Sequence, residues 1–477
     1  MPKTPPVKVR MYRQGLGDCF LLTFAGKKRP VHMLIDCGVL LGTPDSKAVM
    51  TRVAEDISEE TKGRLDVVVA THEHWDHVSG FLQAREVFEN KIAMGEIWLA
   101  WTEDPNNARA NELREERSLR VAALTKALPR WHASGLQPEL YEAVSEVLCF
   151  FGEPLGAGGN STKGALECLT SRKDARLRYL TPGGKPIEIP GVEGVRVYVL
   201  GPPADDKSLG KLLPRKGSGE AYELRLTPER AFFAALDLAD SEAGPRSEEE
   251  RRLSFPFDEY YRIAKTEADD RTDNFFRHHY YGLDGGDPDP WRRIDEDWLT
   301  LTGELALNLD NETNNTCLVL AIEIVETGEV LLFAGDAQIG NWESWKKLSF
   351  STTNGNGEAA VVSSRELLAR TVCYKVGHHA GHNATHREEG LELMQSPDLV
   401  ALIPVNHEMA VKKKWNMPFP PLIQRLQEKC RGRVLRMDSP MEESVAAAAR
   451  ALGAEDAQRF KDALSETELY LECRFPL

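Results

Sequence analysis

Thr71-His72-Glu73-His74-Trp75-Asp76-His77 places four potential metal ligands, His72, His74, Asp76 and His77, within six residues. The stretch follows directly on Leu65-Asp66-Val67-Val68-Val69-Ala70, a short run rich in β-branched residues that reads as a buried strand. Neutral imidazoles and a carboxylate suit zinc, manganese or iron, and a compact turn after a strand can aim alternate side chains at one or two ions. The alternative, four solvated polar residues on a loop, does not account for this spacing.

Working outward, strands are predicted over Lys8 to Met11, Asp18 to Phe24 and Val31 to Gly38, punctuated by Gly15, Gly17 and Gly38. Downstream, Val78 to Phe88 has helical spacing and Glu96 to Trp101 reads as a further strand. Core-like patterning returns at Val195 to Leu200, Cys317 to Ile324, Val330 to Ala334, Val372 to Val376 and Leu399 to Val405, with helices at Ser364 to Arg370 and Pro421 to Lys429. Strands that end in polar loops and alternate with helices describe a layered α/β protein with its site at the strand ends.

The predicted organisation is a first half of the core over 1–101, an insertion over 102–178, core again over 179–203, an insertion over 204–304, the second half of the core over 305–430, and a C-terminal extension over 431–477. Both insertions read as largely helical. The second carries Phe255, Phe257, Tyr260, Tyr261, Phe275, Phe276, Tyr280 and Tyr281 among many charges, as a lid or a surface for a protein partner would, and as an ordinary helical decoration would equally.

With 42% hydrophobic and 28% charged residues, the chain can bury a core and remain dissolved. Its net charge of −15 opposes polyanions at long range, so nucleic acid would need a local basic groove. The eight cysteines contain no Cys-x-x-Cys pair and sit mostly in apolar runs, as reduced core thiols do. No apolar stretch of about 18 residues is present, and the opening Met1-Pro2-Lys3-Thr4-Pro5-Pro6 lacks a signal-peptide core. A cytoplasmic protein without membrane partners is expected.

One loop cannot complete a two-metal site, since each ion needs about four ligands. Asp336 follows the strand Leu331-Leu332-Phe333-Ala334, where a carboxylate could bridge two ions, although a Gly-Asp after a strand is also an ordinary turn. His378 and His379 follow another strand, and the expectation is that one reaches the second metal while the other faces substrate; their order is open. His382, Asn383 and Thr385 extend this polar loop as candidate substrate-binding residues, with His386 beside them. Two ions about 3.5–4 Å apart would make hydroxide available near neutral pH and stabilise charge on the electrophile's oxygen, so hydrolysis follows from the ligands.

These segments resemble the metallo-β-lactamase superfamily, and within it the branch typified by the hydrolase-like domain of the bacterial competence (DNA-uptake) channel protein. Gln14 to Leu21 looks like that branch's Gly-Gln-Gly-Asp strand opening, and Leu34-Ile35-Asp36-Cys37-Gly38 like its Leu-Ile-Asp-x-Gly. Asn314 to Leu320 resembles Asn-Asn-x-Ser-x-Val-Leu, Leu331 to Asp336 resembles Leu-Leu-x-x-Gly-Asp, and Lys375-Val376-Gly377-His378-His379-Ala380 resembles Lys-Val-x-His-His-Gly. Trp415-Asn416-Met417-Pro418 echoes an Asn-x-x-His-Pro element without its histidine.

The resemblance implies an αββα sandwich with His72 and His74 on one metal, Asp76, His77 and one of His378 and His379 on the other, Asp336 bridging, and Asp36 orienting the metal loop. Many superfamily members have a further histidine between the first motif and the residue corresponding to Asp336. Here His132, His278 and His279 all fall in the insertions, leaving the first metal to be completed by Asn315, water or an insertion residue, and making zinc less favoured than manganese.

The leading functional expectation is a phosphodiesterase or nuclease with catalytic Asp76, His378 and His379, acting on a nucleic acid or nucleotide through a metal-activated hydroxide. Lys375, Lys412, Lys413, Lys414 and Arg292-Arg293 are candidate local positive charge, although a lysine triplet is as readily a solvated surface. The alternatives are hydrolysis of a carboxylic ester, thioester or lactam by the same hydroxide, and a degenerate binding protein without activity.

Overall fold

The computed structural model describes residues 7–134, 138–152, 161–209, 263, 275–279, 301–353 and 358–477. Internal contacts divide the chain into two units, one comprising Met1–Ser118, Cys149–Lys216 and Asp310–Leu477, the other Leu119–Leu148 and Gly217–Leu309.

The first unit contains two sheets. One runs in the order β15 (Leu464–Glu466), β16 (Tyr470–Phe475), β1 (Val7–Tyr12), β2 (Cys19–Phe24), β3 (Val31–Cys37), β4 (Arg64–Ala70), β5 (Ala93–Ala100), β6 (Arg176–Leu180). The other runs β14 (Val434–Arg436), β13 (Val400–Ile403), β12 (Thr371–Lys375), β9 (Glu329–Phe333), β8 (Val319–Ile324), β7 (Val195–Gly201). A separate pair, β10 (Ser349–Thr353) and β11 (Ala359–Ser363), stands outside both. Pairing is antiparallel from β15 to β3 and parallel from β3 to β6; in the second sheet β7, β8 and β9 are antiparallel and β9, β12, β13 and β14 parallel.

The parallel strands are buried on both faces, which is why Leu65 to Ala70 shows no alternation. Between the sheets lies one apolar cluster: Val9, Phe20, Ile35, Val67 and Trp98 from the first meet Val197, Leu320, Leu331, Phe333 and Leu402 from the second. Phe20 and Phe333 touch edge to face at 5.6 Å, and full burial of side chains of this kind contributes about 1.5–3 kcal/mol each. The opposite face of the first sheet is covered by α1 (Ser46–Glu60), α2 (Trp75–Gln83), α3 (Arg85–Lys91) and α6 (Thr162–Thr170), through Val53, Ile57, Phe81, Phe88, Ala165 and Leu169. The second sheet is flanked by the helix Ser364–Ala369, which begins with a capping box between Ser363 and Glu366. This is the expected mixed α/β sandwich.

Between α3 and α6 lie α4 (Ala108–Ser134) and α5 (Pro138–Leu148), the helical part expected of the first insertion. In the second unit, Trp131 is fully buried and packs edge-on against Tyr141 at 6.3 Å. Residues 204–304 are described only at 204–209, 263, 275–279 and 301–304, so Phe255, Phe257, Tyr260, Tyr261, Tyr280, Tyr281 and Arg292-Arg293 lie outside the described residues. Among the described residues, no helix is long and apolar enough to cross a membrane.

Two parts of the sandwich differ from the sequence reading. Strand β6 runs across position 178, joins β5 in parallel, and extends the first sheet; its Arg-Leu-Arg-Tyr-Leu is only half buried, as an edge strand can be. The stretch 431–477 is woven into both sheets, with β14 against β13 and β16 against β1. Short strands with alternating exposure carry little apolar signal of their own.

The parallel strands of both sheets deliver Thr71, Asp336 and His378 from their C-terminal ends, where α/β sheets open their crevices. The first-sheet loops there are packed backbone on backbone. Asp18 N donates to Asp76 O at 3.0 Å, and Gly38 N to Asp18 O at 3.0 Å. A Cβ on Gly38 would lie 2.3 Å from the carbonyl carbon of Asp76 and 2.4 Å from His77 N. Gly38→Ala is therefore expected to cost about 3 kcal/mol in chemical denaturation, by pushing the 71–77 turn off its seat. A stability within a few tenths of a kcal/mol of wild type would show that the turn has room to move.

Candidate metal centre

Strand β4 ends at Ala70 and α2 begins at Trp75, so His72 and His74 lie on the turn between them, with His74 at the helix N-cap, and Asp76 and His77 stand in the first turn of α2. Asp36, at the end of β3, holds this turn. Its Oδ1 accepts from Thr71 N at 2.7 Å; its Oδ2 accepts from Thr71 Oγ1 at 2.7 Å and lies 2.8 Å from His77 Nδ1. A carboxylate on Nδ1 fixes the proton there and leaves Nε2 with its lone pair free for a cation. This is the orienting role that the resemblance implies for Asp36.

A second clamp lies behind Asp336. Lys375 Nζ, 1% exposed, donates to Gly335 O at 2.8 Å, to Asp336 Oδ1 at 3.2 Å and to Asp18 Oδ2 at 2.5 Å. His378 N also donates to Asp336 Oδ1 at 3.1 Å. With Oδ1 occupied, Asp336 Oδ2 points at the histidines: 3.1 Å from His77 Nε2, 3.9 Å from His379 Nε2 and 4.0 Å from His378 Nε2. Lys375 is thus no part of a basic substrate surface; two buried carboxylates draw it inward and compensate its charge.

His379 Nδ1 donates to Pro404 O at 2.6 Å, which turns Nε2 to Asp76 Oδ2 at 2.9 Å, whereas His378 Nδ1 is buried without a partner. Both residues adopt left-handed backbone, with φ of 42° and 51°, a conformation that costs about 1–3 kcal/mol per non-glycine residue and recurs where function over-determines geometry.

His72, His74, Asp76, His77, Asp336 and His379 therefore come together, with His378 beside them. Buried and without a hydrogen-bond partner are His72 Nε2, His74 Nε2, His77 Nε2, Asp76 Oδ1, Asp18 Oδ1 and Asp336 Oδ2. Native interiors leave few such atoms unsatisfied, and a concentration of imidazole nitrogens and carboxylate oxygens is what a divalent cation satisfies. Ligand atoms of Asp18, His77, Asp336 and His379 all lie within 4.8 Å of one another. Asp18, however, approaches the two histidines on their Nδ1 side, at 3.7 and 3.8 Å, and pairs with Lys375. Asp76 Oδ2 faces the other side of both rings, 2.9 Å from His379 Nε2 and 3.8 Å from His77 Nε2.

Electrostatics agree with this donor set. Burial pushes His74 down to about 3 and His378 down to about 4, and holds His72 well below its ordinary value, so all three are neutral and able to ligate. Burial acts the same way on His77 and His379, but Asp336 and the neighbouring aspartates outweigh it and raise both.

The other predicted substrate residues turn elsewhere. His382 is exposed; Asn383 Nδ2 donates to Asn311 Oδ1 at 3.2 Å, and Thr385 Oγ1 shares a 2.8 Å hydrogen bond with the Tyr374 hydroxyl. His382 and Thr385 line a cavity of about 360 Å³ with Arg387, Phe419 and Arg425, and none of the metal-ligand candidates lines it. Their polar groups serve the loop and this neighbouring cavity, not the ligand cluster.

Sequence reasoning missed three residues here. Glu73, between the ligand histidines, is held by Arg117 Nε at 2.7 Å, and Arg117 also reaches Glu103 at 3.4 Å. Asp18 was visible only as part of a strand-opening motif. Asp310, whose Oδ1 lies 4.0 Å from His74 Nε2, gave no signal on its helix.

Residues 13–147 match the family model of the metallo-beta-lactamase superfamily. No curated protein matches the chain. The sandwich is consistent with the metallo-β-lactamase fold, the superfamily is mostly hydrolytic, and the match with its buried Asp/His cluster implies a metal-dependent hydrolase. In a metallo-β-lactamase fold with this clamp, Asp36→Asn should lower metal affinity about 10- to 100-fold, because the amide cannot hold His77 Nδ1–H and Thr71 as the carboxylate does. Isothermal titration with zinc checks this; unchanged affinity would mean that His77 keeps its orientation without Asp36.

Proposed function

We propose that the chain is a two-metal phosphodiesterase, in which Asp76, His77, His379 and Asp336 would hold one ion and His72 and His74, with the shared Asp336, the other. The observation that carries the reading is the group of buried, unpaired imidazole and carboxylate atoms at the strand ends. Two divalent ions, zinc or manganese, would supply water of near-neutral pKa and a positive field for a phosphoryl oxygen. The protein's own part is to hold the ligands in one protonation state. Asp36 keeps the His77 proton on Nδ1, Pro404 O keeps that of His379 on Nδ1, and Lys375 occupies Asp336 Oδ1 so that only Oδ2 is offered.

His378, neutral near pH 7 and with Nδ1 unpaired, is the residue for a substrate oxygen. The likeness of Lys375 to His379 to the competence-channel branch supports phosphoryl over carbonyl chemistry. The surroundings favour a nucleotide-sized substrate over a long nucleic acid. Phe150 lies 5.4 Å from His74 and 6.4 Å from His378 and stacks on Trp415 at 5.3 Å, while Phe151 meets His74 at 5.0 Å. Of the expected basic groups, Lys375 is internal and Lys412 pairs with Glu408 at 2.7 Å.

Metal content by elemental analysis, with hydrolysis of bis(p-nitrophenyl) phosphate under added zinc or manganese, tests the reading. Asp76→Ala and Asp336→Ala should each lower turnover at least about 100-fold. Bound metal with no phosphodiester turnover, but with cleavage of an ester or lactam, would move the activity to carbonyl substrates.

A further inference from the structure

Two histidines and a shared Asp336 do not complete a four-coordinate metal position. The histidines between the first motif and Asp336 are His132, His278 and His279, and all three are exposed. We propose that Asp310 is a further protein ligand of the first metal position, beside His72, His74 and the shared Asp336. The inference rests on the metal-centre reading above and adds a ligand to it.

Asp310 lies near the end of the helix Leu301–Asn315, which runs through Thr316 and Cys317 to β8. That junction is fixed to the metal loop, since Leu318 N donates to Thr71 O at 2.8 Å. It is fixed again by Asn341, whose Nδ2 donates to Asn315 O at 3.1 Å and Cys317 O at 3.0 Å. The last helical turn is therefore held next to the ligand run, and it presents Asp310 Oδ1 4.0 Å from His74 Nε2.

Both atoms are buried and lack a hydrogen-bond partner, as does His72 Nε2. At 4.0 Å they are too far apart to bond each other, yet within the span of about 4.2 Å that two ligand bonds of about 2.1 Å to one ion can cover. The remaining oxygen, Oδ2, accepts from Asn314 Nδ2 at 3.3 Å, which turns the carboxylate so that Oδ1 stays free. Asn315, the other residue considered for this place, has its side chain engaged: Nδ2 donates to Leu209 O at 3.2 Å and Oδ1 accepts from Asn341 N at 3.1 Å.

The test is stoichiometry and affinity, not turnover. Full-length protein stripped with a chelator is titrated with zinc and followed by calorimetry and elemental analysis, with circular dichroism confirming the fold of each variant. Wild type should take up two ions. Asp310→Ala should retain one ion with near wild-type affinity and lose the other. Asp310→Asn, the closest in shape, should weaken that second uptake at least about 10-fold, and Asp310→His should restore it. The Asn and His variants decide the matter if the alanine variant does not fold. Two ions bound with unchanged affinity by Asp310→Asn would overturn the assignment and leave the metal centre standing; wild type that takes up fewer than two ions would overturn both.

Discussion

Everything at the strand ends depends on Asp36 facing Thr71 and His77. Its two oxygens take three donors from a single turn, so one carboxylate fixes the backbone entry, the threonine hydroxyl and the imidazole tautomer together. Asp36 itself sits at φ 56°, a conformation that aspartate tolerates better than most residues. Glycines at 17 and 38 let the backbone of Asp76 pass where side chains would collide. The ligand turn is thus placed by first-sheet residues that need never touch a metal.

The second dependence is electrostatic. A buried ammonium between two buried carboxylates repays its desolvation only when the geometry is close, and removal of one member leaves the others uncompensated. Lys375 meets that condition through Asp18, Asp336 and Gly335 O. The arrangement ties β12 to the loop after β9 and to the start of β2, joining the two sheets at the edge where the ligands converge. Asp336 is consequently divided in function between its oxygens, one facing Lys375 and one facing the histidines.

Much of this was legible in the sequence, and the exceptions have physical causes. The parallel strands announce themselves as apolar runs because both faces are buried, and His72 to His77 is dense enough to mark a site. Strand β6 and the strands of 464–475 are short and half exposed, so they resemble loops until a neighbouring strand is known. Lys375 reads as surface charge because its two carboxylate partners lie 357 and 39 residues away in the chain, at positions 18 and 336. The turn of His379 Nε2 towards Asp76 depends on the Pro404 carbonyl, a backbone atom that no side-chain pattern encodes. Asp310 is hidden for a related reason: on a helix one aspartate looks like any other, and only the packing of the helix end beside β4 gives it a neighbour.

An aspartate in place of a third histidine would alter the chemistry of the centre as well as its completeness. Asp76, Asp336 and Asp310 would bring three formal negative charges to two divalent ions, where a histidine at the last position leaves two. The extra anion lowers the net positive field on a bound oxygen and makes the donor set harder, which shifts preference from zinc towards manganese. A weaker field suits an anionic phosphodiester less in binding but releases an anionic product more readily. His74 would feel the same change, since it is buried and its ring is walled by Phe150 and Phe151, where charge is weakly screened. Carboxylate donors, an apolar wall and a neutral His378 at the rim are therefore mutually consistent: the wall excludes water, the carboxylates moderate the charge, and the histidine supplies the polar contact that the wall does not.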